Sequence, residues 1–179
     1  MKGRHQPANA SSPAVALIAL GSNLGDSRRI LRAAMTRLAS LSAEPPRCSS
    51  LWQTSPVECP PGSPPFLNAV VSIVPRAGET PETLLEKLQA LERESGRQPK
   101  NTLNEPRSLD LDLITFGEET RATPWLVLPH PRAGERRFVL APLAEIAADY
   151  RLPGQKQTVR QLLAGLESDE VVQRLESGS

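Results

Sequence analysis

Two aspartates separated by one residue, Asp110 and Asp112, are the residues of this sequence that most clearly suggest chemistry. They alternate with Leu109, Leu111 and Leu113, and alternation of polar and apolar residues predicts a β-strand with one face in a core. In a strand the two carboxylates point the same way, roughly 6.5–7 Å apart along the chain. In a helix they would lie about 200° apart around the axis and could not share a ligand.

Two carboxylates on one face of a strand repel each other, and a divalent cation is the simplest compensation. Mg²⁺ prefers carboxylate oxygens and is commonly held by one or two of them together with substrate phosphates. Arg107 lies three residues before Asp110. The alternative is an edge strand with its polar face in water, although Asp is depleted in strands.

Length and charge narrow the class of protein. A chain of 179 residues suits one domain with a sizeable core. Its formal charge of +1 creates no general basic field, which argues against a nucleic-acid partner. No apolar run approaches the length of a membrane span. The two cysteines, Cys48 and Cys59, fit neither a metal spacing nor a disulfide framework, so we expect a reduced, cytoplasmic compartment.

We expect a disordered tail at residues 1–13, a single domain at 14–166 and a frayed tail at 167–179. No surplus apolar stripe stands out, so we expect a monomer. Residues 55–65 include five prolines and are predicted to form a loop, of a length typical of lids and binding loops.

Hydrophobic periodicity predicts strands and helices in the order strand, helix, two strands, helix, strand, strand, then short helices. The predicted strands are 15–20, 48–54, 66–74, the aspartate strand and 125–128. The first helix is capped by Asp26 or Ser27, the second begins at Thr80-Pro81, and short turns broken at Pro142 follow within 134–148, then 159–166. This order predicts an α+β fold, a ferredoxin-like open sheet with helices packed on one face and the active site on the other.

The turn Gly21-Ser22-Asn23 between the first strand and helix has two interpretations. It could cradle a phosphate, but it lacks the Gly-x-Gly-x-x-Gly pattern and a P-loop Lys. We therefore favour a tight turn. On the second helix, Gln89 and Glu92 are three residues apart and face the same way.

With these motifs in hand, the chain resembles the 6-hydroxymethyl-7,8-dihydropterin pyrophosphokinase family of folate biosynthesis. The resemblance runs in family order over about residues 14–165, and its most specific block is Pro-Arg-Ser-Leu-Asp-Leu-Asp-Leu at 106–113. The other matches are Ala-Leu-Gly-Ser-Asn-Leu-Gly at 19–25, Thr54, Phe-Leu-Asn-Ala at 66–69, Glu92, Gly-Arg at 96–97, Pro-His at 129–130 and Arg-Phe at 137–138.

The resemblance implies transfer of the terminal diphosphate of ATP to the pterin hydroxymethyl oxygen, with release of AMP and with two Mg²⁺ ions. It implies that Asp110 and Asp112 bind the metal and that Arg97 and Arg107 join them in catalysis. Two ions about 3.5–4 Å apart can stabilise both the attacking and the leaving oxygen.

The resemblance also implies two groups of binding residues. For the pterin they are Thr54, Phe66, Asn68, Asp110 and Phe138; for ATP they are Gln89, Glu92, Arg97, Lys100, Arg107, His130 and Arg136. Several have structural alternatives: either phenylalanine could be core packing, Glu92 could cap a loop or pair with Arg97, and His130 could satisfy a turn.

Two other functions stay open at this point. Ferredoxin-like sheets also serve as non-catalytic ligand-binding modules, because fold does not fix function. Another Mg²⁺-dependent nucleotidyl or phosphoryl transferase is the third option, which would release ADP or pyrophosphate instead of AMP.

Overall fold

The computed structural model describes residues 14–55, 62, 64–96 and 107–176. The elements are β1 (Ala16–Ser22), α1 (Ser27–Leu41), β2 (Arg47–Cys48), β3 (Trp52–Thr54), β4 (Phe66–Ile73), α2 (Pro81–Glu94), β5 (Asp110–Phe116), β6 (Arg121–Ala122), β7 (Val127–Leu128), a 3-10 turn (Ala133–Glu135), α3 (Arg137–Ala147), α4 (Val159–Gly165) and β8 (Val172–Arg174). The predicted tail at 1–13 lies outside the described residues.

The main sheet has the strand order β5-β1-β4-β3-β8, and β2 also pairs with β4. All of these pairs are antiparallel. Strands β6 and β7 form a separate two-stranded hairpin. The central order β5-β1-β4-β3, with α1 and α2 as crossovers, confirms the predicted α+β, ferredoxin-like plan. In the described part of the chain, no helix is long and apolar enough to cross a bilayer.

The two crossover helices pack on one face of the sheet. Helix α1 starts at the predicted cap, where the Asp26 carboxylate accepts from the backbone N–H of Arg29. Helix α2 starts at Thr80, whose side chain accepts from the N–H of Thr83. Both helices bury their apolar stripes against the sheet residues of the larger core cluster. That cluster also contains Leu109, Leu111 and Leu113, so the predicted apolar face of the aspartate strand is confirmed.

The opposite face of the sheet is not free of helices, which corrects one detail of the predicted arrangement. Leu17, Val70 and Ile114 point to this second face and form a smaller core cluster with residues of α3 and α4. Apolar residues at these positions have to be covered, because leaving each exposed would cost about 1.5–3 kcal/mol. The predicted active site is therefore confined to the end of this face that α3 does not cover.

Helix α3 runs through Pro142, where the sequence predicts a break. Proline in the helix interior removes the hydrogen bond that its N–H would make to the carbonyl of Phe138, four residues earlier. Leu140 and Leu143 on either side are fully buried. Their burial on the second face offsets the lost bond, so tertiary packing keeps the helix continuous.

Residues 167–176 are also more ordered than the predicted frayed tail at 167–179, whose residues 177–179 lie outside the described residues. Residues Val172–Arg174 form β8, which pairs antiparallel with β3, and Leu175 N–H donates to the carbonyl of Leu51. Strand β3 would otherwise expose an edge of unpaired backbone groups. The pairing uses backbone rather than an apolar stripe, which is why periodicity does not reveal it.

The carboxylate of Glu145 joins α3 to this edge of the sheet. It accepts hydrogen bonds from Ser50 N–H (3.0 Å), Ser50 Oγ (2.7 Å) and Trp52 Nε1 (3.1 Å), and pairs with Arg174 at 2.9 Å. Burial alone would raise the pKa of Glu145, but these bonds and the charge of Arg174 outweigh it and lower the pKa. The ionised group therefore stabilises the fold.

Replacing Glu145 by Gln should lower the free energy of unfolding by about 1 kcal/mol at neutral pH. The effect is modest because the carboxylate and its partners are partly solvated. Because the folded pKa is lowered, the stabilisation is present above the unfolded pKa of about 4.3 and is lost as pH falls through the folded pKa. Urea unfolding at neutral pH and at a pH well below 4 should thus show the gap between wild type and variant closing as the pH falls. Replacing the exposed Glu44 by Gln is the control. A gap of equal size at both pH values would contradict the assignment.

Candidate functional site

One row of facing residues crosses the open part of the second face. Asp110 on β5 lies opposite Gly21 on β1, and Gly21 lies opposite Asn68 on β4. Facing residues of antiparallel strands project to the same side, and two strand spacings place Asp110 and Asn68 about 10 Å apart. A Cβ on Gly21 would come within 3.2 Å of Asn68 Oδ1. Glycine therefore leaves the floor between the two polar groups open.

Asp110 and Asp112 both lie on this face, half-buried, while the leucines between and beside them are buried in the core. Their shared orientation confirms the strand prediction. Burial raises the pKa of Asp112, and the neighbouring charge of Asp110 raises it further. The positive charges of Arg136 and Arg107 oppose that rise. The pair is thus a concentrated negative site that favours a cation.

Glu92 on α2 holds the backbone between the two aspartates. Its Oε1 accepts from the N–H of Leu111 at 2.8 Å, and its side chain is almost fully buried. In the main sheet of the described residues β5 is an outer strand, so no neighbouring strand supplies this acceptor. The contact is structural, as one alternative for Glu92 allowed, and its partner is the backbone N–H of Leu111. Residue Arg97 lies outside the described residues.

Two arginines lie beside the two carboxylates. Arg107 Nη1 donates to Asp110 Oδ2 at 2.7 Å. Arg136 Nη1 lies 4.0 Å from Asp112 Oδ2, and its guanidinium stands 5.4 Å from the centre of the Phe138 ring. The structure therefore brings these two predicted phosphate-binding residues to the aspartate pair. The predicted Lys100 lies outside the described residues.

Asn23 positions Arg107, a role that the sequence analysis missed. Its backbone N–H donates to the carbonyl of Arg107 at 3.1 Å, and its Oδ1 accepts from the Arg107 N–H at 2.9 Å. Its Nδ2 also reaches the carbonyl of Pro64 at 3.4 Å. The turn interpretation of residues 21–23 was thus incomplete, since the turn also ties together two distant segments. No local pattern signals this role, because Asn23 and Arg107 are 84 positions apart in the chain.

The polar pair Asn68 and Thr54 lies at the other end of the row. Asn68 Nδ2 donates to Thr54 Oγ1 at 2.8 Å, and both side chains are buried. Phe66 lies opposite Thr54 in the β3–β4 register and is half-buried. Neither core cluster of the described residues includes Phe66, whereas Phe138 packs partly against the second cluster. Core packing therefore accounts for part of Phe138 but not for Phe66.

His130 and Gln89 have weaker links to the pair. The backbone N–H of His130 donates to the carbonyl of Ile114, and its Nδ1 accepts from the N–H of Arg132 at 3.2 Å. Burial lowers the pKa of His130, although the charge of Asp112 works against this. The hydrogen bond to Arg132 N–H supports the alternative that His130 stabilises a turn. Gln89 is exposed on α2 and, within the described part of the chain, makes no hydrogen bond to the other predicted site residues.

The donor set suits Mg²⁺ and not a metal enclosed by protein. The described residues contain no group of three or more His, Cys, Asp or Glu that could hold a metal ion. Asp110 and Asp112 provide two carboxylates on an open face. Mg²⁺ keeps several waters and is typically completed by substrate phosphates, so the residues present fit this ion.

Comparison with known proteins gives consistent matches. A family model described as 7,8-dihydro-6-hydroxymethylpterin-pyrophosphokinase (HPPK) matches residues 17–148. A Bacillus subtilis protein named 2-amino-4-hydroxy-6-hydroxymethyldihydropteridine pyrophosphokinase is 43% identical over 133 residues, covering 74% of this chain and 77% of the relative. A Synechocystis protein of the same name is 39% identical over 149 residues, covering 83% of this chain and 74% of the relative.

Solved structures agree on the fold. A crystal structure titled as HPPK-DHPS in complex with substrates aligns with a TM-score of 0.67 at 12% identity, over 85% of this chain and 43% of that chain. At such low identity the likeness supports the fold alone, while the sequence matches establish the family. The family model covers most of the chain, and the aspartate pair lies within the matched residues. The chain therefore belongs to the 7,8-dihydro-6-hydroxymethylpterin-pyrophosphokinase (HPPK) family and is an enzyme.

Proposed function

We propose that the protein transfers diphosphate from ATP to the hydroxymethyl group of 6-hydroxymethyl-7,8-dihydropterin and releases AMP, as an Mg²⁺-dependent enzyme of folate biosynthesis. The observation that carries this proposal is the half-buried pair Asp110 and Asp112 with an arginine beside each carboxylate. The pterin substrate and the pyrophosphokinase reaction are inferred from the names of the relatives. The polar pair Asn68 and Thr54, at the far end of the same row, provides a place for a heterocycle edge.

Asp110 and Asp112 would hold two Mg²⁺ ions between the protein and the phosphates of ATP. Mg²⁺ held by these carboxylates would supply charge neutralisation for the attacking and leaving oxygens of the transfer. Asp110 is already paired with Arg107, so its carboxylate is oriented before any ligand binds. Such transfers depend mainly on positioning and charge stabilisation, and the proposal includes no covalent intermediate.

Arg107 and Arg136 would bind the phosphate oxygens. A guanidinium matches two phosphate oxygens at once, which makes it a directional as well as a charged partner. Arg107 shares its hydrogen bonds between Asp110 and the phosphates in this scheme, and Asn23 fixes the backbone from which it reaches. Gln89, His130, Arg97 and Lys100 complete the proposed nucleotide residues.

The pterin would lie between Phe66 and Phe138 with its edge at Asn68. Asn68 Nδ2 is directed to Thr54, so Oδ1, above Gly21, is oriented to accept from the N–H groups of the ring. Stacking on an aromatic side chain contributes about 0.5–1.5 kcal/mol beyond area burial. This arrangement would bring the hydroxymethyl group towards the aspartate end of the row.

The Asp112→Asn variant should lose at least about 100-fold in kcat, the usual effect of removing one preorganised electrostatic group from an active site. Asn keeps the shape of the side chain but binds Mg²⁺ weakly, so circular dichroism should show an unchanged fold. The measurement is chromatographic quantification of AMP from ATP and the pterin. The exposed Asp149→Asn is the matched control and should turn over normally. Release of ADP or pyrophosphate by the wild type would assign the chain another transfer reaction.

The Phe66→Ala variant should raise KM for the pterin by about threefold to tenfold and leave KM for ATP nearly unchanged. The half-buried ring belongs to neither core cluster, so its removal should disturb the fold little. Steady-state kinetics with each substrate varied in turn separates the two effects. Trp125→Ala, which removes an aromatic ring that is 71% exposed on the β6–β7 hairpin, is the control. Equal changes in both KM values would argue against a stacking role.

The Glu92→Ala variant should raise the Mg²⁺ concentration needed for half-maximal activity and lower kcat, because the buried N–H of Leu111 loses its acceptor. Glu92→Gln retains an acceptor oxygen and should recover much of the activity. Titration of Mg²⁺ at saturating ATP measures the effect. A higher KM for ATP with an unchanged Mg²⁺ requirement would instead indicate that Glu92 contacts the nucleotide.

A further inference from the structure

The row of facing residues at the site continues past Asn68 to Trp52. Trp52 on β3 lies opposite Asn68 on β4, and Arg174 on β8 lies opposite Trp52. Facing residues of antiparallel strands project to the same side, and their Cβ atoms are about 4.5–5.5 Å apart. The indole ring of Trp52 therefore stands beside the Asn68 amide, on the side away from Gly21.

The indole ring is held by the carboxylate of Glu145 on α3. Trp52 Nε1 donates to Glu145 Oε2 at 3.1 Å, and the same oxygen accepts from the N–H of Ser50 at 3.0 Å. Arg174 Nη2 donates to Glu145 Oε1 at 2.9 Å and to Ser50 Oγ at 2.9 Å. The carboxylate thus joins α3 to the segment before β3 and to β8. Because these contacts are all within the protein, the indole ring is oriented before any ligand binds.

Hydrophobic packing does not account for Trp52. Its side chain is half-buried and, in the described part of the chain, belongs to neither core cluster. The other tryptophan, Trp125, is 71% exposed on the β6–β7 hairpin. Trp52 is therefore an aromatic residue that a hydrogen bond anchors next to the site, without a place in either core.

Asn68 depends on its neighbours for protection from water. The side chains of Asn68 and Thr54 are buried, although Gly21, the neighbour of Asn68 on β1, has no side chain to cover them. The hydrogen bond from Asn68 Nδ2 to Thr54 Oγ1 is stronger where water is excluded. On the β3 side the large side chain that faces Asn68 is the indole ring of Trp52. This ring therefore excludes water from the amide on that side.

We propose that Trp52 is a positioning residue for the pterin site. Its indole ring, anchored by Glu145, shields the hydrogen bond between Asn68 and Thr54 and keeps the Asn68 amide in place for the edge of the pterin. The proposal rests on the proposed function, because the pterin is the ligand whose binding it affects. Trp52 acts through Asn68 and does not touch the substrate in this scheme.

The test compares Trp52→Ala and Trp52→Phe in the wild-type and Asn68→Ala backgrounds. Phe keeps an aromatic ring but lacks the Nε1 donor, while Glu145 keeps its other hydrogen bonds. The exposed Trp125→Phe is the matched control. Calorimetry measures the Kd of a non-hydrolysable ATP analogue with Mg²⁺, and then the Kd of 6-hydroxymethyl-7,8-dihydropterin in their presence. NMR of the ligand-free protein measures exchange of the Asn68 side-chain amide protons with water.

We expect Trp52→Ala to raise the Kd of the pterin by about tenfold and Trp52→Phe by about threefold, with the Kd of the ATP analogue within about twofold of the wild type. In the Asn68→Ala background the same substitutions should change the pterin Kd by less than about twofold, because the residue through which Trp52 acts is absent. The Asn68 amide protons should exchange faster in both Trp52 variants, and Trp125→Phe should match the wild type. Trp52→Phe decides the question if Trp52→Ala does not fold.

A pterin Kd within about twofold of the wild type in the Trp52 variants would overturn the proposal. An equal rise in the Kd of the ATP analogue would overturn it as well, since it would indicate a general disturbance of the fold. The same would follow from an effect of undiminished size in the Asn68→Ala background. A wild type that binds no pterin would refute the proposed function, and the exchange of the Asn68 amide protons would still show separately whether Trp52 shields them.

Discussion

Repulsion between two carboxylates on one short strand is the constraint to which the rest of the site responds. Asp110 and Asp112 are both half-buried on the same face, and the charge of Asp110 raises the cost of ionising Asp112. Holding them there requires a rigid strand and positive charge close by. The core under the leucines supplies the rigidity, and Arg107 and Arg136 supply the charge. A cation beneath a nucleotide would complete the same compensation.

The backbone of β5 is held from both sides at this point. On the inner side it pairs with β1, where Gly21 leaves space over the sheet. On the outer side no strand follows in the described sheet, and the buried carboxylate of Glu92 accepts the N–H of Leu111. An unpaired buried N–H costs about 1–3 kcal/mol. The side chain of Glu92 thus provides the hydrogen-bond acceptor that a neighbouring strand would otherwise provide to β5.

The two faces of the sheet have different tasks. The face under α1 and α2 is a continuous apolar core. The other face is apolar only in part, where α3 and α4 cover it, and polar where the aspartates, Asn68 and Thr54 lie. Helix α3 therefore serves as core and as site wall at once, since its first turn carries Phe138 and follows Arg136. The side chain of Arg137 in that turn also donates to the carbonyl of Leu166, which links the start of α3 to the C-terminal segment.

Local pattern was sufficient for much of this structure. The alternation of Asp and Leu places the two carboxylates together because side chains of a strand alternate between faces. The capping residues and apolar stripes predict α1 and α2. The order of strands and helices along the chain predicts the ferredoxin-like plan. The motifs also sufficed to identify the family. These features depend on residues that are neighbours in the chain or recur at a fixed period.

Tertiary structure decided the contacts that tune the site. Asn23 and Arg107 are 84 positions apart, and Glu92 and Leu111 are 19 apart; no local pattern links either pair. The continuity of α3 through Pro142 and the pairing of β8 with β3 likewise depend on packing and on backbone edges supplied by distant segments. The sequence by itself determined which side of the strand the carboxylates occupy. Only the folded chain determined which arginine, acceptor and helix end stand beside them, because hydrogen bonds and ion pairs form between groups that the fold brings within about 3–4 Å.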